Sequence, residues 1–207
     1  MSSLVDVSSR TGLRALVGTV IHSIGFGELQ VLPRGAIFVN SRGTIQKVLD
    51  MSGYDSSAVF APDTTPFEGV EEVRDFGRKL IIPGFIDAHC HAPQYAFTGT
   101  GMDLPLLQWL EKYTFPTESR FSDLEFARAV YSKSVRRHLR NGTTFACYFA
   151  TIHNSAAKVL VDVIAEAGQR AYVGKVSMDR NSPDFYIEET NKGLEDAEEF
   201  VRLGLKG

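Results

Sequence analysis

The sequence predicts an α/β protein in two parts. Residues 1–79 read as a small all-β piece, and residues 80–207 as consecutive strand–helix units of a parallel sheet. Three observations predict this. The first third carries apolar runs rich in β-branched residues, separated by short polar loops with Gly, which is the pattern of strands and hairpins. After Pro83-Gly84 the extended and helical patterns alternate, and strands joined by helical crossovers form parallel sheets. One of those apolar strands ends in His89-Cys90-His91, a spacing that puts two imidazoles on one face of a strand.

The elements follow in order. Residues 15–24 are a strand. Residues 35–40 and 44–49 flank Ser41-Arg42-Gly43 and read as a hairpin. Residues 50–70, with Pro62 and Pro66, read as loop. Residues 71–76 form another strand, punctuated by Gly77. Residues 80–89 are the first strand of the second part. Residues 105–113 form a short helix in which Trp109 is a core residue rather than a stacking platform. Ser122-Asp123-Leu124-Glu125 has the form of a capping box, with the Ser122 hydroxyl and Glu125 carboxylate each able to satisfy a free N–H. The helix it opens runs to Arg140, where Asn141-Gly142 supplies a stop. Residues 143–149 and 170–177 are strands, and residues 155–167 and 188–203 are helices.

A closed (β/α)₈ barrel takes about 250 residues and eight strands, and residues 80–207 offer three strand signals. The expected architecture is therefore the N-terminal part of a (β/α)₈ TIM-like barrel preceded by a small β-sandwich domain. The barrel is expected to be incomplete, as in a truncated or mis-spliced piece of a longer protein. Composition narrows the function classes. Lys and Arg total 22 against 25 Asp and Glu, so no basic surplus points to a nucleic-acid backbone. Asp6, Arg10 and Arg14 interrupt the N-terminus, and no window reaches the roughly 20 apolar residues of a bilayer span. Only two cysteines are present, too few for a disulfide framework. The expectation is a cytoplasmic, soluble protein with no nucleic-acid or membrane partner.

His89 and His91 are the candidate metal ligands. At the C-terminal end of a barrel strand their shared face looks into the mouth where active sites lie, and two neutral imidazoles suit a divalent transition metal. Cys90 lies between them and is expected on the opposite side as a packed thiol. Cys147 reads as core. A regular strand places Asp87 on the face of His89; Asp87 and Asp179 rank below the histidine pair as ligands. His22, His138 and His153 stand alone. His138, in the run Arg136-Arg137-His138-Leu139-Arg140, reads as a solvated face near a helix C-terminus. His153 follows a strand on the side of the expected active-site loops.

Residues 83–91 resemble the first barrel strand of the amidohydrolase superfamily, and the 35–49 hairpin resembles its N-terminal β-sandwich. His91-Ala92-Pro93-Gln94-Tyr95 and the segments 103–116, 141–153 and 168–175 are similar to the guanine deaminase family within it. The resemblance implies hydrolytic deamination of guanine to xanthine and ammonia by a zinc-activated water, in purine catabolism. It implies His89 and His91 as two ligands of the zinc, one ion per complete active site, and Gln94 as a substrate contact. No catalytic residue is assignable within this chain; the remaining ligands and the proton-shuttling carboxylate are expected beyond residue 207. Lys175 invites comparison with the metal-bridging lysine of two-metal relatives, which belongs on another strand. A homodimer is expected at full length. Two alternatives stay open: another deaminase or a chlorohydrolase of the superfamily, or a non-catalytic fragment that associates with the full-length enzyme.

Overall fold

The structure, a computed structural model, describes residues 12–54 and 66–204. The targeting signals sought in residues 1–11, and Pro62 with most of the expected 50–70 loop, lie outside the described residues. The chain divides into two units after Pro83.

The first unit holds β1 (Leu13–Gly25), β2 (Glu28–Val39), β3 (Ile45–Asp50) and β4 (Val70–Ile81) in one sheet of order β3-β2-β1-β4. β1 and β2 are antiparallel around a tight turn at Gly27, whose φ of 74° favours glycine. The expected hairpin is the β2–β3 pair. Its turn is held by the Asn40 side chain, which accepts from the backbone N–H groups of Arg42 and Thr44. β4 runs parallel to β1 and passes through Gly77 without ending, because Asp75 accepts from the Gly77 N–H at 2.7 Å and holds an irregularity inside the strand. The core of this unit lies under Ala15, Val17, Ala36, Phe38, Met51, Phe67 and Val70. Among the described residues of this unit the four strands make this single sheet, and a second sandwich layer is not among them.

Leu80 and Ile81 pair with Thr19 and Val20 of β1. They therefore end β4, and do not begin the strand that carries the histidines. Pro83 has no N–H to donate, and the ladder breaks over residues 82–84 before resuming.

The second unit begins with β5 (Phe85–His91), followed by a 3-10 turn at Ala92–Phe97. The helical stretch after it is longer than expected: α1 (Leu106–Trp109), a π turn at Leu110–Thr114, α2 (Phe115–Glu118) and a 3-10 turn at Ser119–Ser122. Pro116 lacks an amide proton, and the bonding pattern widens just before it. Then come α3 (Leu124–Arg140), β6 (Thr143–Phe149), α4 (Asn154–Ala167), β7 (Arg170–Gly174), a short turn at Asp184–Tyr186 and α5 (Thr190–Gly204). β5, β6 and β7 are adjacent and parallel, with α3 and α4 as the crossovers.

Asp123, not Ser122, caps α3. Its carboxylate accepts from the N–H groups of Glu125 and Phe126, while the Ser122 hydroxyl turns back to Ser119 O. A charged acceptor satisfies the free N–H groups and complements the helix dipole, so it outcompetes the hydroxyl. Ala127, Val130, Tyr131, Ser134 and Val135 form the buried stripe of α3 at helical spacing. They pack with Leu160, Val163 and Ile164 of α4 over Ala146 and Tyr148 of β6. The opposite sheet face is open, with Ile86 70% and Tyr172 71% exposed.

Candidate functional site

The site grows from an irregularity in β5. Its pairing with β6 shifts register between Asp87 and Cys90, and Asp87 Oδ1 accepts from the His89 N–H at 3.1 Å. The bulge breaks the two-residue alternation. Asp87 is thereby turned to the helix side, 3.9 Å from His138 Nε2, and does not share the face of His89. Cys90 lies on that helix side as expected, its Sγ 3.7 Å from the same His138 nitrogen.

His89 and His91 take the other face. Their Nε2 atoms converge to 3.1 Å. Both rings rest on Phe149 at the end of β6, with centroids 4.5 and 5.0 Å away and the His91 ring nearly parallel to it. An aromatic floor shared by two imidazoles restricts their rotation and aims both Nε2 atoms at one point. Two nitrogens that each lie about 2.0–2.1 Å from a tetrahedral zinc stand roughly 3.3 Å apart, so the pair fits a transition metal without rearrangement. Burial, then the neighbouring His89, hold His91 below the ordinary imidazole value, which keeps it in the neutral form that ligation needs.

Gln94 sits in the 3-10 turn that leaves β5, and Pro93 at the start of that turn is buried. His91 and Gln94 line one cavity of about 600 Å³ together with Cys90, Tyr95, Trp109 and His138. The side chain of Gln94 also reaches the carboxylate of Glu118. Trp109 is half-buried, donates its indole N–H to Thr100 O, and leans on Phe97.

His138 is not a solvated residue. Tyr148 donates its hydroxyl to Gln169 Oε1, and the Gln169 amide donates to Thr143 O. The Tyr148 oxygen is then left to accept, so His138 Nδ1, 3.0 Å away, must be the donor. Its Nε2 is the acceptor, and the Cys90 S–H donates to it. Burial, with Asp87 adding to it, pushes this thiol up to about 12. Asp87, Cys90 and His138 lie close enough to hold a cation among themselves, yet hydrogen bonds already account for their arrangement.

The other singled-out residues stand elsewhere. His22 bonds Gln30 across the β1–β2 pair. Lys175 is buried in an ion pair with Glu188 at 2.7 Å. The Asp179 carboxylate accepts from the Thr190 hydroxyl. His153 caps α4 next to Thr151 Oγ1 and lines a separate cavity with Lys158 and Glu188.

Sequence reading missed a buried polar group beneath Gln94. Glu118, Tyr186, Tyr131 and Thr151 are almost wholly buried, and the Tyr186 hydroxyl donates to Glu118 Oε2 at 2.8 Å. Burial raises the Glu118 carboxyl, against the lowering effect of bonds from Tyr186 and Gln94. Glu118 and Tyr186 lie in a short helix and a loop without periodicity, so no local signal marks them.

Residues 80–206 match the amidohydrolase family. The chain is 49% identical over 202 residues to a guanine deaminase of Dictyostelium discoideum, covering 94% of this chain and 44% of that protein. It is 42% identical to a guanine deaminase of Homo sapiens, covering 89% of this chain and 40% of the relative. A crystal structure of guanine deaminase from C. acetobutylicum with bound guanine in the active site superposes with a TM-score of 0.79 at 33% identity, covering 92% of this chain and 42% of that one. The chain thus spans under half the length of these relatives.

Proposed function

The chain belongs to the amidohydrolase family, and from that premise we propose that it carries the metal-binding strand and part of the base pocket of a guanine deaminase. The observation that carries the proposal is the convergence of His89 and His91 Nε2 to 3.1 Å over Phe149. The reaction is hydrolytic deamination of guanine to xanthine and ammonia, in keeping with the names of the similar guanine deaminases. His89 and His91 would hold a zinc ion. A bound zinc supplies Lewis acidity and brings the pKa of water down to about 7. Catalytic zinc normally has three protein ligands, so a full centre needs donors besides this pair; Asp87, Cys90 and His138 face the other side of β5.

Within the chain, Phe149 fixes the imidazoles and the β5 bulge turns them off the helix face. Gln94 contacts the purine, its amide offering both a donor and an acceptor. β5, β6 and β7 would be the first three strands of a (β/α)₈ barrel, and their open face with Ile86 and Tyr172 its inward-pointing layer. The division into an N-terminal β domain and barrel units, the β-sandwich, a homodimer at full length and a cytoplasmic location belong to the same reading. No helix among the described residues is long and apolar enough to cross a membrane.

The test is zinc content and ammonia release from guanine, for the native protein and for His89→Ala and His91→Ala. Each variant is expected to lose bound zinc. A double variant that retains full zinc overturns the ligand assignment. Faster turnover of cytosine or a triazine than of guanine overturns the substrate in favour of another branch of the family.

A further inference from the structure

On the reverse of the strand that carries His89 and His91, three donors of different chemistry point at one space. Asp87 and Cys90 come from β5 and His138 from α3, and one ligand atom of each lies within 4.8 Å of the others. Cys90 Sγ stands 3.7 Å from His138 Nε2, and Asp87 Oδ2 stands 3.9 Å from the same nitrogen. Around a tetrahedral zinc a thiolate and an imidazole lie about 3.5 Å apart, and an imidazole and a carboxylate about 3.4 Å. Shifts of roughly half an ångström or less close the set, and the longer bonds of cadmium need still less.

Asp87 and His138 are also held by partners outside the cluster. Asp87 Oδ1 accepts from the His89 N–H at 3.1 Å, which leaves Oδ2 to face His138. The Tyr148 hydroxyl gives its proton to Gln169, so His138 donates from Nδ1 and turns the lone pair of Nε2 toward Cys90 and Asp87. The His138 ring lies nearly parallel to that of Tyr148, with 5.5 Å between centroids. A histidine whose second N–H is tied to a fixed oxygen is the arrangement found at metal-bound histidines. Hydrogen bonds hold these side chains together, and the same lone pairs suit a cation. Cys90 and His138 line the cavity on the helix side of β5, and the Asp87 side chain is 38% exposed, so an ion reaches them from solvent.

We propose that Asp87, Cys90 and His138 form a second metal site, on the face of β5 opposite His89 and His91, selective for thiophilic divalent cations such as zinc and cadmium. Calcium and magnesium take oxygen ligands, whereas one sulfur, one imidazole and one carboxylate favour softer ions. As the ion binds, the Cys90 S–H bond breaks, its proton passes to solvent, and the sulfur electron pair joins the metal. The ion ties α3 to β5, and through Asp87 it braces the bulge that aims His89. Neither guanine nor the deamination chemistry enters the proposal, so it stands or falls apart from that reading.

The test is titration of the 207-residue chain with Cd²⁺, read by ultraviolet thiolate-to-cadmium charge-transfer absorption. The His89–His91 pair carries no sulfur and is silent in this band. The other thiol is Cys147, so the titration is repeated in Cys147→Ser. The expected result is a saturable band in the native chain, kept in Cys147→Ser and absent in Cys90→Ser. His138→Gln and Asp87→Asn preserve side-chain shape, and each should weaken cadmium binding at least about tenfold. Cadmium should also raise the Tm of the native chain by more than that of His138→Gln. Unchanged affinity in either of these two variants marks adventitious binding by a lone thiol and overturns the site. A band that disappears in Cys147→Ser, or no band in the native chain, overturns it as well.

Discussion

At the scale of single residues, the site depends on which face each side chain of residues 87–91 takes. Period-two alternation assigns His89, Cys90 and His91 their faces, but it puts Asp87 with His89. The bulge reverses that, because the Asp87 carboxylate caps the His89 N–H and turns toward His138. Glu118 shows how burial becomes a pH dependence. Its folded-state value lies above the ordinary 4.5, so the folded protein holds the proton more tightly than the unfolded chain. The stability this contributes is complete below pH 4.5 and is lost as pH rises through the folded value. Glu118→Gln is therefore expected to flatten the fall in thermal stability as pH rises above 4.5, and an unchanged slope would count against the burial argument. Gly84 carries a steric prediction: a Cβ there would stand 2.0 Å from Thr144 Oγ1 and 2.7 Å from Thr144 Cβ. Chemical denaturation of Gly84→Ala should show a loss of about 1–3 kcal/mol, the usual cost of overpacking.

Among the elements, α3 shows where local signals succeed and where they mislead. Its C-terminal stop at Asn141-Gly142 is legible because Gly142 adopts a φ of 88°, which only glycine takes without strain. Spacing makes its N-terminus a Ser122 capping box, but two acceptors one residue apart cannot be ranked from spacing alone. The structure ranks them: Asp123→Ala should cost about 1 kcal/mol by denaturant unfolding, and Ser122→Ala markedly less. Equal losses would restore the capping box. The same limit explains residues 80–89. Their apolar run is continuous in sequence, but Leu80 and Ile81 pair with β1 while Phe85 pairs with Thr143. Which neighbour a strand chooses is a long-range matter that no local pattern contains.

At the scale of the whole molecule, a buried ion pair braces the connection from β7 to α5. Lys175 and Glu188 have side chains 2% and 10% exposed, and Glu188 also accepts from the Met178 N–H. Lys175→Met leaves Glu188 buried without its cation, and should lower unfolding stability by about 3–5 kcal/mol. Arg128→Ala, which breaks the exposed Arg128–Glu166 pair between α3 and α4, should cost no more than about 1 kcal/mol. Comparable losses in the two variants, read from the same denaturant curves, would contradict the burial argument. Much of this architecture was legible beforehand: the alternation after Pro83-Gly84, the ends of β6, and the His89–His91 pair all follow from periods and breakers that act over a few residues. The tertiary structure alone decided the faces of Asp87 and His138, the floor that Phe149 makes under the histidines, and the meeting of Gln94, Glu118 and Tyr186. The physical reason is separation along the chain. Glu118 and Tyr186 are 68 residues apart, and their hydrogen bond exists only because three parallel strands bring the loops that follow them to one end of a sheet.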